Sequence, residues 1–165
     1  MGSNVTDKVI AVVGCGNPTR QDDGVGPAVV SELKRRGLEG SQVKLLDAGT
    51  DGMAVMFAAR GCGALIVIDA SCTGVEPGAI YEVPGAELER PHVQGFNLHD
   101  FRWDGALYAG RQIFGSEFPA DVRVFLIEAG ELGFGVGLSH AVTVAVDTVV
   151  ERIAALIYEQ PVSSP

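Results

Sequence analysis

The chain has 165 residues, 47% of them apolar, and a formal net charge of −9. That length and apolar content suit one domain with one core, spanning residues 1–165. The charge opposes nucleic-acid binding, which draws its affinity from neutralising phosphates, and no apolar run approaches the roughly 18 residues of a membrane span. Neither nucleic acid nor a membrane is therefore an expected partner. Met1 to Lys8 is short and polar, without an export-type apolar stretch, so a cytoplasmic location is expected. Residues 1–7 and 161–165 are expected to be flexible. The three cysteines, Cys15, Cys62 and Cys72, are odd in number and form no CxxC. A disulfide framework or structural zinc site is not expected.

Val9 to Val13 reads as a buried strand, followed by a glycine-rich loop from Gly14 to Gly26. Pro27 suits a first helical position, and Ala28, Val29, Val30 and Leu33 give that helix an apolar face. Lys34, Arg35 and Arg36 favour its C-terminal dipole, and Gly37 can cap it. Val43 to Leu46 is a second strand. A short helix is expected from Gly52 to Arg60, capped by Asp51 and stopped by Gly61. Ala64 to Ile68 is apolar throughout, the pattern of a central strand covered on both faces. A shorter strand, Ala79 to Val83, follows a turn at Glu76-Pro77-Gly78, and a long loop leads to a helix from about Asp100 to Phe114. Val122 to Ile127 is the fifth strand, and the last helix spans about Ser139 to Tyr158. Strands alternating with helices imply a mainly parallel, five-stranded sheet with helices on both faces.

Ligands of such sheets bind outside the carboxyl ends of the strands. Asp47, Asp69 and Glu128 each follow an apolar strand directly, and Asp22 and Asp23 lie in the loop after the first. These acids should converge on one rim. Adjacent acids before a helix favour its dipole, but the close flanking glycines suggest that something approaches the backbone there. Neighbouring side chains point apart, so Asp23 is taken as the ligand and Asp22 as its structural partner, bound to local backbone. Gly14-Cys15-Gly16 begins like a dinucleotide fingerprint, yet the third glycine is replaced by Thr19. The helix also starts too late for pyrophosphate to sit on it. No nucleotide cofactor is expected.

His99 begins a helix after a long loop, beside Asp100, which can orient it. His92 and His140 read first as structural, Phe101 and Trp103 as core or interface residues. Two carboxylates and one imidazole suit a divalent borderline metal such as nickel or zinc, with positions left open for water or substrate.

The loop GCGNPTRQDDGVGPAVV resembles the opening motif of the nickel–iron hydrogenase maturation endopeptidases (peptidase family M52). LDAGT from Leu46, VIDA from Val67, GVEPGAIY from Gly74 and NLHDF from Asn97 follow in that family's order. The resemblance implies a three-layer α/β/α sandwich and an endopeptidase that trims the C-terminal extension of a hydrogenase large-subunit precursor after nickel insertion. It implies catalytic and metal-binding roles for Asp23, Asp69 and His99, and substrate recognition by Asp47, Gly49 and Thr50. The metal it implies is nickel, held by the protein or supplied by its substrate. The chain departs from the family pattern in its first ligand, which is often glutamate, and at Ala48, which replaces a glycine. Two other readings stand beside this one. A non-catalytic nickel- or precursor-binding factor would keep the fold without turnover. A peptidyl-tRNA hydrolase-like enzyme would share the Gly-Asn-Pro loop, but the acidic charge is wrong for tRNA.

Overall fold

The computed structural model describes residues 9–91 and 101–159. His92, His99, Asp100 and both termini expected to be flexible lie outside the described residues. In chain order the elements are β1 (Ile10–Cys15), α1 (Val25–Arg35), β2 (Val43–Gly49), α2 (Gly52–Ala59), β3 (Ala64–Ser71), β4 (Ile80–Pro84), α3 (Trp103–Phe114), β5 (Asp121–Glu128) and α4 (His140–Tyr158). The sheet order is β2-β1-β3-β5-β4. Its first four strands run parallel, and β4 adds an antiparallel edge against β5.

Alternate residues of the central strands enter two separate cores. Ile10 and Val12 of β1, with Ile66 and Ile68 of β3, pack under α1 and α4. Ala11 and Val13, with Leu65 and Val67, pack under α2 and α3. Burial on both faces accounts for strands that read as unbroken apolar runs, and two helices on each face complete the expected α/β/α sandwich.

The expected elements are all present, with shifted ends: α3 starts at Trp103 rather than about Asp100, and α2 ends at Ala59. Strand β1 continues through Gly14 and Cys15, which pair with Asp47 and Gly49 of β2. Helix α1 starts at Val25 rather than Pro27. Proline is tolerated in this first turn because its N–H would find no intrahelical partner there. A Cβ on Gly26 would stand 2.6 Å from both the Cys15 nitrogen and the Ile68 carbonyl oxygen. The first turn of α1 therefore lies directly on β1 and β3, which only glycine permits. At its far end Gly37 has φ +74°. Its N–H donates to Lys34 O at 2.9 Å and Leu38 N–H to Leu33 O at 3.2 Å, closing the helix as a Schellman turn.

Candidate active site

The carboxyl ends of β1 and β2, with the first turns of α2 and α3, enclose a cleft with about 310 Å3 of empty space, part of it open to solvent. Cys15, Gly16, Asp23, Gly49, Thr50, Arg102 and Trp103 are among its walls. Two backbone features shape it. The register of β1 on β2 slips between Gly14 and Cys15, leaving Ala48 as a bulge between Asp47 and Gly49. Gly16 has φ +129°, and a Cβ there would overlap the Asp23 carbonyl oxygen. The glycine thus lets the loop fold Asp23 back against the end of β1. The Asn17 N–H donates to Asp23 Oδ2 at 2.8 Å, which fixes the carboxylate at the cleft.

The neighbouring acid does something different. Asp22 is fully buried. Its Oδ2 accepts from Gly130 N and Glu131 N at 2.8 Å and from Ser139 Oγ at 2.9 Å, while Oδ1 accepts from Ser139 N at 2.7 Å. Burial pushes its pKa up, but the hydrogen bonds from Ser139, Glu131 and Gly130 outweigh burial and hold it below the usual value. Asp22 is thus a structural residue, as expected, although its partners lie more than a hundred residues away rather than in local backbone. The acid that holds local backbone is Asp23. The same junction is extended by Gln21, at φ +50°, whose N–H donates to Gly135 O at 3.0 Å and whose Oε1 accepts from Gly133 N at 2.8 Å. The glycine-rich stretch from Gly130 to Gly137 is therefore a strap tied to the Arg20–Asp23 turn, and His140 is an exposed residue at the start of α4.

Asp69 is only 2% exposed. Its Oδ1 accepts from Ala70 N at 2.8 Å, and its Oδ2 accepts from Trp103 Nε1 at 2.8 Å and Arg102 at 3.1 Å. Burial raises its pKa, the Trp103 and Ala70 bonds and the Arg102 charge lower it, and the charge of Asp23 raises it again; the net shift is upward. Asp69 lies on β3, which pairs with β1, and Asp23 folds back against the end of β1, so the two acids belong to neighbouring strand ends. Cys15 lies beside them, and burial, aided by the Asp69 charge, pushes its thiol far up. A thiol so held is no nucleophile.

The other rim acids are occupied elsewhere. Glu128 is 1% exposed and turns toward the loop after β3, accepting from Ser71, Thr73 and Gly74 at 2.8–3.0 Å. Burial raises its pKa, and these bonds bring it below the usual carboxylate value. It does not join the cleft, contrary to the expectation that all five acids converge. Asp47 is exposed and accepts from Gly49 N at 2.9 Å, holding the bulge in shape. Asp51 caps α2 through Met53 N and Ala54 N.

Asp23 thus lines the cleft together with Gly49, Thr50 and the α2 cap Asp51, Asp69 lies behind its Arg102 and Trp103 wall, bonded to both, and His99 lies outside the described residues. Among the described residues, no group of three His, Cys, Asp or Glu side chains forms a metal site. Two carboxylates at the ends of the paired strands β1 and β3, one of them buried, nonetheless form a donor set that a divalent cation would stabilise. Sequence reasoning missed Arg102 and read Trp103 as a core or interface residue. Trp103 is 9% exposed and does pack in the core, but its indole N–H also aims at Asp69. The signal was their position, immediately after the NLHDF motif.

A mainly parallel α/β/α sandwich with carboxylates gathered at its strand ends is an enzyme-like architecture. The sequence profile of the hydrogenase maturation protease family (HycI) matches residues 27–156. The chain belongs to this family, whose members are peptidases. It is 26% identical over 156 residues to the hydrogenase 2 maturation protease of Escherichia coli K12, covering 94% of each chain. It is 28% identical over 155 residues to the hydrogenase expression/formation protein HupD of Thiocapsa roseopersicina, covering 90% of this chain and 69% of that one. The structure of the E. coli hydrogenase maturating endopeptidase HybD has the same fold, with a TM-score of 0.76, 24% identity, and coverage of 93% of this chain and 94% of that one.

Proposed function

We propose that this protein is the endopeptidase that removes the C-terminal extension of a nickel–iron hydrogenase large-subunit precursor once nickel has been inserted. The observation that carries the reading is the buried Asp69 at the end of a central strand, bonded to Arg102 in the wall of the cleft that Asp23 also lines, in a chain of the maturation protease family. Asp23, Asp69 and His99 are the residues that would hold or recognise nickel. A bound divalent cation supplies a polarised carbonyl and a water of lowered pKa.

The chain's own groups prepare for that chemistry. Asn17 N–H holds Asp23 in place, and Ala70 N–H and Trp103 Nε1 hold Asp69, so neither carboxylate needs to reorganise when a charge arrives. Gly49 and Thr50, exposed by the β2 bulge, lie beside them in the wall of the cleft. This is where a substrate strand would meet the Asp47–Thr50 segment. Family membership weighs against the peptidyl-tRNA hydrolase likeness of the Gly-Asn-Pro loop.

The test is to mix the full-length protein with a nickel-loaded precursor and follow the precursor by intact mass. Loss of a C-terminal fragment is expected with the wild type, and no loss with the Asp23→Ala, Asp69→Ala or His99→Ala variants. Tight precursor binding without any cleavage by the wild type would instead identify a non-catalytic maturation factor.

A further inference from the structure

Arg102 precedes α3 at its N-cap position and makes no side-chain capping bond there. Its guanidinium reaches the cleft instead, donating to Asp69 Oδ2 at 3.1 Å. The two partners differ sharply in setting: the Arg102 side chain is 65% exposed and that of Asp69 is 3% exposed. Exposed ion pairs ordinarily contribute little. Here the acid is buried, and the guanidinium that bonds it lines the same cleft as a second carboxylate, Asp23. A cation is what such a pair lacks, and Arg102 supplies one.

The remaining contacts of Asp69 do not depend on that cation. Trp103, anchored in the core, donates to the same Oδ2, and Ala70 N–H holds Oδ1. Asp69 would therefore keep its direction if Arg102 left. Arg102 can leave, because its head is largely in solvent and its described hydrogen bonding is a single bond to Asp69. An arginine only donates and a carboxylate only accepts, so a guanidinium and a metal ion compete for the same lone pairs.

Resting on the metal-site reading above, we propose that Arg102 is a displaceable counter-ion. It neutralises the Asp23–Asp69 pair while no divalent cation is present and releases Asp69 Oδ2 when one arrives. Arg102 is thus a positioning residue acting through Asp69. It sets a threshold, because a cation must outcompete the guanidinium for the site. A weakly held cation fails to do so, whereas a divalent ion that also engages Asp23 succeeds. The same threshold applies whether the cation comes free from solution or already seated in a substrate.

Calorimetric titration of the full-length protein with nickel chloride at low ionic strength tests this. Emission from Trp103, the chain's single tryptophan, reports directly on Asp69. Arg102→Gln is expected to bind nickel on the order of tenfold more tightly than the wild type, with the gap narrowing as salt screens the wild-type ion pair. Arg102→Lys, which keeps the charge, should stay near the wild type. Equal or weaker binding by a folded Arg102→Gln variant overturns the inference, provided that Asp69→Asn abolishes binding. Binding that survives Asp69→Asn overturns the metal-site reading itself, and the inference with it. A parallel arm offers nickel-loaded and nickel-free precursor in place of the salt. A gain for Arg102→Gln with the loaded form alone supports the inference with substrate-borne nickel. No gain in either arm overturns it.

Discussion

Asp22 and Asp23 are adjacent in sequence and both sit under the carboxyl ends of the strands, yet the protein uses them in opposite ways. Asp22 is surrounded by four donors from the strap and from the start of α4, and its charge is lowered in energy by all of them. Asp23 accepts one backbone N–H and lines a cleft whose wall includes Arg102, the partner of Asp69. Glu128 and Asp69 repeat the contrast at the ends of β5 and β3. Glu128 is enclosed by donors, while Asp69 is buried with donors too few to offset its desolvation. An acid saturated by hydrogen bonds stabilises the fold; an acid left short of them is available to a ligand.

The largest effect that can break this contrast is on catalysis. Asp69→Asn and Asp23→Asn should each lower precursor cleavage by roughly a thousandfold. Circular dichroism and thermal melts should show both variants folded. The largest effect on stability belongs to the other class. Asp22→Ala leaves four donors without an acceptor and should cost about 3–5 kcal/mol in urea unfolding. It should also loosen the Gly130–Gly137 strap, read as faster amide exchange at Glu131 and Ser139.

The pH dependence should carry opposite signs for the two acids. The folded pKa of Asp22 is lowered. Its contribution is present above the unfolded value of about 4 and is lost as pH falls through the folded value. The folded pKa of Asp69 is raised. Its ionisation therefore costs stability, and that cost appears as pH rises from about 4 through the folded value. Unfolding midpoints measured from about pH 7 down to about pH 3 should fall less steeply in Asp22→Asn than in the wild type. In Asp69→Asn they should lose the decline that accompanies ionisation.

Two smaller effects sharpen the picture of the scaffold. Gly26→Ala drives a methyl group into β1 and β3 and should cost about 1–3 kcal/mol by overpacking. Phe134, at the tip of the strap, is 95% exposed. Phe134→Ala should change stability by less than about 0.5 kcal/mol, so a larger loss would mean that the strap holds more than Asp22 and Gln21.

The fold was legible because its signals are local and repeated. The ALIVI run, the Asp51 cap before Gly52, and the helical spacing of Val142, Val146, Val149 and Val150 each fix one element. The strand ends were less legible. Cys15 and Ser71 extend their strands only because a partner strand continues beside them. The roles of the acids were legible in part. That Asp22 and Asp23 diverge follows from adjacency, but the partners of Asp22 come from residues 130, 131 and 139, which no local pattern reveals. Glu128 was misplaced for a similar reason, since its donors lie on the loop that leaves the neighbouring strand. Arg102 was invisible because an exposed arginine at a helix start reads as ordinary surface.

The most direct test of the division between structural and site acids is a side-by-side cleavage assay on nickel-loaded precursor, with each variant confirmed as folded at the assay temperature. The expected result is that Asp23→Asn and Asp69→Asn are folded and inactive, while Asp22→Asn and Glu128→Gln are less stable but cleave at near wild-type rates. Undiminished cleavage by a folded Asp69→Asn variant would contradict the account. So would a folded Asp22→Asn variant as inactive as Asp69→Asn.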